Sequence, residues 1–471
     1  GFGRFQVFAL FFIIYPELPA GTIAMLPVFV GGIPSVWNCT EDINNGVTVT
    51  VQMESSDICS CNGTMSGGTD SIVAQWNLVC DLAWVSDFIT SLQMVGMFVG
   101  GFLGSQVADW MGRKKTLYAS CLLILLAGAA SGVSSSPFFY AATRFVIGFS
   151  IATYMVVGAI YPMEFFTPKY RSLSGTIGPW GEGVMLLALL AYLFPDWKTL
   201  SWISSLPMIL VFISLPFLPE SPRWLLRQGK VKEAKKVFDQ IARWNGCEEV
   251  DDSVIQILVA DLESEKKASD GKNQIAYVQL ILKKKFFWKI ITFMGIWFTC
   301  SLIFYGVGFG AHSLSGDVYM NVFYIGLVDA LAYPASVPVM SWLGRRKALI
   351  GYCILAALPF IGIILMELGL PKSSVATVAL TLVSRVFVDG CWSTIRCFTG
   401  ESFPTSVRSS AVGLSQVAVA VGGIIAPQIV FLGRTNPAIP YFIFGGFSVV
   451  SSGLSFFLRE TKGKPIAEHA V

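Results

Sequence analysis

Positive charge is missing from the first quarter of this chain: no Lys or Arg occurs between Phe5 and Gly112. The cluster Arg113-Lys114-Lys115 ends that gap, directly after the apolar run 85–108. Charge is scarce elsewhere too, at 13% of 471 residues against 54% hydrophobic, with mean hydropathy +0.63. Soluble domains carry roughly 25% charged residues, so a globular enzyme in water is excluded. Histidine is down to 2 residues. No metal-ligand cluster, nucleotide loop or nucleophile motif is visible, and the few Gly runs sit inside apolar stretches. No catalytic residue, cofactor, metal or nucleic-acid partner is expected.

What remains suits a chain dissolved in lipid. A bilayer core needs about 20 mostly apolar residues per helix, and twelve stretches qualify. They run over roughly 5–30, 85–109, 116–134, 139–162, 173–194, 199–218, 287–310, 318–342, 347–367, 374–399, 411–432 and 438–458. Backbone groups in lipid must be satisfied within the segment, so these are read as helices. The first reads as a span and not as a cleaved leader, being long and without a small-residue cleavage site. Lys and Arg accumulate on the cytoplasmic side. The cation-free loop 31–84 is therefore predicted outside, Arg113 inside, and both termini cytoplasmic.

Two loops are long. The outer one, 31–84, holds Cys39, Cys59, Cys61 and Cys80 and the sequons at Asn38 and Asn62. Four cysteines outside predict two disulfides, with the pairing open. Cys59 and Cys61 are too close to favour each other, so each is expected to bridge to Cys39 or Cys80. A zinc site is the alternative, but the loop contains no His. The other loop, 219–286, is rich in Lys and Arg. Its stretches 230–242 and 254–266 have helical periodicity with charge on one face, predicting short amphipathic helices on the cytoplasmic surface. A flexible linker is the alternative, above all around 266–273.

The chain repeats itself. Gly112-Arg113-Lys114-Lys115 returns as Gly344-Arg345-Arg346-Lys347, and Arg144 in the fourth span returns as Arg385 in the tenth. Glu164-Phe-Phe-Thr-Pro-Lys-Tyr-Arg171 returns as Glu401-Ser-Phe-Pro-Thr-Ser-Val-Arg408. The offsets are 232 (Arg113 to Arg345), 241 (Arg144 to Arg385) and 237 (Glu164 to Glu401). Nearly constant offsets predict duplicated six-helix units: residues 1–218, a linker over 219–286, and residues 287–471. The fold class expected is an all-α membrane protein with 12 transmembrane helices in two pseudo-symmetric bundles. Transporters of this kind bind substrate at the repeat interface and rock one half against the other.

These residues carry a family resemblance. Ser105-Gln-Val-Ala-Asp109-Trp-Met-Gly112-Arg113-Lys114-Lys115 is similar to the loop signature of the major facilitator superfamily, with Ser105 where Gly is usual. Trp37-Asn38-Cys39 opens the outer loop and Gln75-Trp76-Asn77-Leu78-Val79-Cys80 closes it. Pro219-Glu220-Ser221-Pro222-Arg223-Trp224-Leu225 follows the sixth span, and Arg459-Glu460-Thr461-Lys462-Gly463 the twelfth. Together they resemble the organic cation, organic anion and carnitine transporters, the solute carrier 22 family. The resemblance implies a monomeric plasma-membrane transporter. Asp329 stands where cation members carry an acid, and Tyr333 stands as in carnitine-type members. Ala420-Val421-Gly422-Gly423-Ile424 lacks the eleventh-span charge of either branch.

Ionisable residues inside spans are costly and usually functional. Asp329 and Glu182 are read as carboxylates for a substrate ammonium; Glu182 lies in the helix-breaking run Gly178-Pro179-Trp180-Gly181-Glu182-Gly183. Glu17, near Pro16 and Pro19, is similar but nearer the outside. Arg385, Asp389, Trp392 and Arg396 recur at intervals of 4, 3 and 4, so they share one helical face. Arg385 and Asp389 are expected to neutralise each other, leaving Arg396 for a substrate carboxylate unless it snorkels to the interface. Tyr154, Trp180, Trp297, Phe304, Tyr305 and Tyr333 are the aromatics placed inward, where cation–π contact could hold an organic cation. His312 reads as a plain loop residue. Asp109, Arg113, Glu164, Arg171, Arg144, Glu401, Arg408, Arg385 and Asp389 are read as gating charges, with Glu164 pairing Arg171 and Glu401 pairing Arg408.

The function expected is alternating-access transport of small organic cations or zwitterions of carnitine-like or amine-containing type, with any coupling ion open. An organic anion transporter led by Arg396 is the alternative. A transport-silent surface receptor or adhesion protein fits less well, since a scaffold needs no gating charges.

Overall fold

The computed structural model describes residues 3–462 apart from 35, 43–47, 55–56, 69, 167–177, 249, 270–283, 370, 372 and 404. Among these described residues, eleven helical segments are long and apolar enough to cross a membrane. The first, Arg4–Val30, is broken into α1 (Arg4–Ile14), α2 (Glu17–Met25) and α3 (Pro27–Val30). Pro16 and Pro27 sit at the breaks because proline supplies no N–H to the helical ladder. The carbonyls of Ile13 and Ile14, freed there, both accept from the Tyr154 hydroxyl at 3.1 Å. After a short loop helix α4 (Ile72–Gln75) come α5 (Trp84–Met111), α6 (Arg113–Gly132) and α7 (Pro137–Ile160). The expected fifth span holds α8 (Trp180–Leu193), an apolar helix of 14 residues preceded by undescribed chain. The sixth is α9 (Trp197–Ile203) continued by a tighter helix Leu206–Ser214.

The linker forms α10 (Pro222–Arg227), α11 (Val231–Asn245) and α12 (Asp252–Ser269). It is docked on the first span: Asn245 accepts from the Phe5 amide at 3.1 Å, and Trp244 packs edge-on to Phe5. The second half comprises α13 (Lys284–Phe309), α14 (Val318–Leu343), α15 (Arg345–Leu368), α16 (Ser374–Ser402), α17 (Thr405–Leu432) and α18 (Ala438–Ser455).

One part is not helical. The loop 31–84 folds into β1 (Val36–Asp42), β2 (Thr48–Glu54) and β3 (Thr64–Ser66), an antiparallel sheet in the order β2-β1-β3. The sheet is confined to this loop, and the apolar spans are helical as the fold class requires. The alternation Thr48-Val49-Thr50-Val51-Gln52-Met53 is the period-2 pattern that a strand requires. Disulfides join Cys39 to Cys61 and Cys59 to Cys80. Trp76 packs on Tyr140 and Trp197, and the Trp197 indole donates to Gln75 at 2.9 Å. The closing motif of the loop thus seats it on the first bundle. Asn38 and Asn62 are both exposed.

Apolar burial is shared out in a telling way. One buried cluster lies within the first half, around Ile124, Ile151 and Val211. Another lies within the second half, around Phe293, Ile395 and Phe398. The third crosses between halves on the disulfide side, joining Met25, Val28 and Leu187 to Leu302, Ile325 and Phe360. Large apolar side chains such as Phe138, Trp110, Trp342 and Leu331 point outward, as lipid permits and water would not.

Candidate transport site and its gates

At the basic side the two halves repeat one device. α6 and α15 each begin at a glycine with positive φ, 100° at Gly112 and 87° at Gly344. At both, a Cβ would collide with a carboxylate, of Glu220 or of Glu460. Glu220 accepts from the amides of Arg113 and Lys114 at 2.8 and 3.0 Å. Glu460 accepts from those of Arg345 and Arg346 at 2.9 and 3.0 Å. An acid at a helix N-terminus satisfies orphan N–H groups and meets the positive end of the dipole. Burial alone would raise the Glu460 carboxyl, but four backbone N–H donors outweigh it and hold it below its ordinary range.

The side chains then turn inward. Arg113 binds Asp109 at 2.7 Å and Glu164 at 3.3 Å. Arg345 binds Glu401 at 2.7 Å, and Thr461 donates to the other Glu401 oxygen at 2.6 Å. Glu164 and Glu401 were expected from spacing to meet Arg171 and Arg408; among the described residues they meet Arg113 and Arg345. Arg171 and the Arg408 side chain lie outside the described residues. Glu220, Glu460 and Arg345 were not picked as gate residues from the sequence. Their signal was there, since the Pro-Glu-Ser and Arg-Glu-Thr runs sit 240 residues apart (Glu220 to Glu460). These ion pairs stay within each half.

Pairs that join the halves lie on the disulfide side. Arg434 reaches Asp87 at 2.7 Å. The Ser91 hydroxyl donates to the Ile424 carbonyl at 2.8 Å and accepts from Gln428 at 3.1 Å. Phe29 stacks on Tyr319 with centroids 5.4 Å apart. α8 and α14 touch backbone to backbone, since a Cβ on Gly326 would lie 2.7 Å from the Gly181 carbonyl oxygen. This side is closed.

Between the halves lies a small cavity of about 10 Å³, the space of roughly one water molecule. Met25, Val28, Val184 and Val322 form its apolar wall, and Asp329 and Arg385 are its charged lining among the described residues. Arg385 is fully buried and clamps Asp329 through two hydrogen bonds of 2.7 Å. It also donates to the Phe304 carbonyl and lies 3.6 Å over the Phe304 ring. Asp389, the expected partner, is 3.8 Å away. The i,i+4 pair is thus subordinate to a bidentate cross-helix pair, whose planar fork matches a carboxylate.

Glu17, Glu182 and Arg396 come together from α2, α8 and α16, with Arg396 and Glu182 both acting on the Glu17 carboxylate through space. Glu182 and Arg396 are exposed although each sits inside a span. Arg396 lies 5.7 Å over the Tyr333 ring, so it is engaged and not an isolated cation. Glu17 also abuts Gly178 at the start of α8. Of the expected aromatics, Trp180 packs beside α2 at this place. Tyr305 is buried with its ring edge on Phe304. Trp297 instead donates to Thr399 at 3.0 Å, and Tyr154 is spent on the α1–α2 break, so both hold helices together. His312 is bonded to the Phe309 carbonyl at 2.8 Å.

Two bundles, repeated gate clusters and a charged central cavity define a transporter of the major facilitator fold. Solved structures of the xylose transporter XylE from E. coli share that fold at 15–16% identity. Its inward open conformation matches with TM-score 0.68 over 96% of this chain and 98% of that one, and its partially occluded inward open conformation with 0.69 over 97% and 100%. The sequence pattern of the family described as "Sugar (and other) transporter" covers residues 37–471. Organic cation/carnitine transporter 2 of Rattus norvegicus is 30% identical over 84% of this chain and 71% of its own. Solute carrier family 22 member 15-like of Xenopus tropicalis is 29% identical over 94% of this chain and 88% of its own. The chain belongs to the solute carrier 22 family of the major facilitator transporters; it is a multi-pass membrane transporter, not an enzyme.

Proposed function

We propose that the chain is a plasma-membrane carrier of small organic cations or zwitterions, working by alternating access with both termini cytoplasmic. The observation that carries this reading is the cluster of Glu17, Glu182 and Arg396 beside Trp180 and Tyr333. With both glutamates ionised, two carboxylates against one guanidinium carry one net negative charge. A monovalent ammonium balances that charge, and the neighbouring rings favour it further. A zwitterion fits as well, with its ammonium on a glutamate and its carboxylate on Arg396. A simple organic anion meets two carboxylates and one arginine, which weighs against the anion reading. Asp329 is less suited to ligate substrate directly, since Arg385 already occupies both of its oxygens.

Closure at Asp87–Arg434 with gate pairs kept within each half supports a state open on the basic side. The exposed sequons at Asn38 and Asn62 support glycosylation of an outer loop. The deciding experiment is uptake by expressing cells, screened over radiolabelled amines, betaines and carboxylates. Saturable amine or betaine uptake, lost in Glu17→Gln with surface protein retained, is the expected result. Uptake restricted to carboxylates would overturn the reading.

A further inference from the structure

Arg144 and Arg385 are counterparts in the two halves, and they are treated differently. Both are fully buried. Arg385 has a carboxylate on its fork. Arg144 has instead the Ile23 carbonyl at 2.9 Å and the side-chain oxygen of Gln93, both bonded to one nitrogen, Nη2. Gln93 is itself oriented by donating to the Ala24 carbonyl at 3.0 Å, which turns its oxygen to the arginine. Neither partner carries charge. The remaining nitrogens, Nε and Nη1, are buried without an acceptor among the described residues. Arginine stays protonated in such a place, so a full positive charge sits in the span with only the Tyr140 ring, 6.0 Å away, and no carboxylate beside it among the described residues.

Those nitrogens belong to a residue that lines a second small cavity of about 10 Å³, room for a single small occupant. Gly31, Ser86, Thr90 and Tyr140 line it too. The Tyr140 hydroxyl is also buried without a partner among the described residues. Buried donors of this kind are nearly always satisfied in native proteins. Three unmet donors and one unmet positive charge call for an acceptor that is itself anionic and small. Water would accept a hydrogen bond but leave the charge.

We infer that the Arg144 cavity binds a small monovalent anion of halide size, held by the Arg144 guanidinium and the Tyr140 hydroxyl. The anion takes the place that the Asp329 carboxylate has in the other half. Because Tyr140 also packs against Trp76 and Trp197, occupancy steadies the seat of the disulfide-bonded loop. The site is separate from the Glu17–Glu182–Arg396 cluster, and its test does not need transport.

The full chain, purified in detergent, would be melted in sodium chloride, sodium bromide and sodium gluconate at one ionic strength. Chloride and bromide should raise the midpoint saturably by several degrees over gluconate. Gln93→Glu places a carboxylate against Arg144; it should melt in gluconate where the unmodified chain melts in chloride, and respond to no anion. Tyr140→Phe should keep the response but need severalfold more chloride. Equal midpoints in all three salts for the unmodified chain would overturn the proposal. So would a chloride response that survives in Gln93→Glu.

Discussion

Arg385 on α16 and Asp329 on α14 meet through two parallel hydrogen bonds of 2.7 Å, both side chains almost fully buried. That contact changes what Asp329 is for. A carboxylate already matched to a guanidinium fork is part of the wall of the central cavity and ties two helices that must move as one. A buried pair of this kind is costly to break, because the remaining charge has no water to turn to.

Asp329→Asn is therefore expected to destabilise the second bundle by about 3–5 kcal/mol. Thermal melting in detergent and surface expression should both fall. The triple variant Asp329→Asn with Arg385→Gln and Asp389→Asn should recover much of the loss, since no charge of the cluster is then stranded. An Asp329→Asn protein that melts normally and loses only substrate affinity would return Asp329 to the substrate site.

Arg396→Ala should separate zwitterions from amines. Hydrogen bonds to charged groups contribute about 1.5–3 kcal/mol, roughly a tenfold to hundredfold effect. Betaine uptake should fall by that factor, measured as kcat/KM. Simple amine uptake should hold or rise, because the site becomes more negative. Equal losses for both would assign Arg396 to gating.

Glu17→Gln and Glu182→Gln each remove the net negative charge of the cluster. Apparent affinity for a monovalent amine should weaken by on the order of tenfold at the distances involved. The loss should appear in KM more than in surface protein. A variant with unchanged KM would take that glutamate out of the site.

Arg434 and Asp87 should hold the disulfide side shut. With Val28→Cys as a reporter in the central cavity, a membrane-impermeant thiol reagent applied outside should label slowly. Adding Arg434→Ala or Asp87→Asn should speed labelling severalfold, and the charge swap Asp87→Arg with Arg434→Asp should slow it again. Rates that ignore all three changes would show that apolar contact alone closes this side.

Legibility in the sequence followed the range of the information. The spans were readable because each must satisfy its own backbone in lipid, so hydropathy over about 20 residues carries the answer locally. The break at Pro16 was readable because proline lacks the N–H that the helical ladder needs. The repeat was readable because duplication leaves the same short runs at nearly one offset. The site was only half visible: the rare intramembrane charges stood out, but their partners did not.

The amino-acid sequence by itself determined that this chain lies in a membrane, that its halves repeat and that its family is solute carrier 22. Only the tertiary structure decided which acid meets which base. Spacing along one helix favoured Arg385 with Asp389. Packing brought Asp329 to Arg385, and Arg113 and Arg345 to Glu164 and Glu401. It left Arg144 with an amide. It also paired Cys39 with Cys61 and Cys59 with Cys80. The reason is geometric: helical periodicity says which residues share a face, but a charge chooses its partner by distance across helices, and that distance exists only once the bundle is packed.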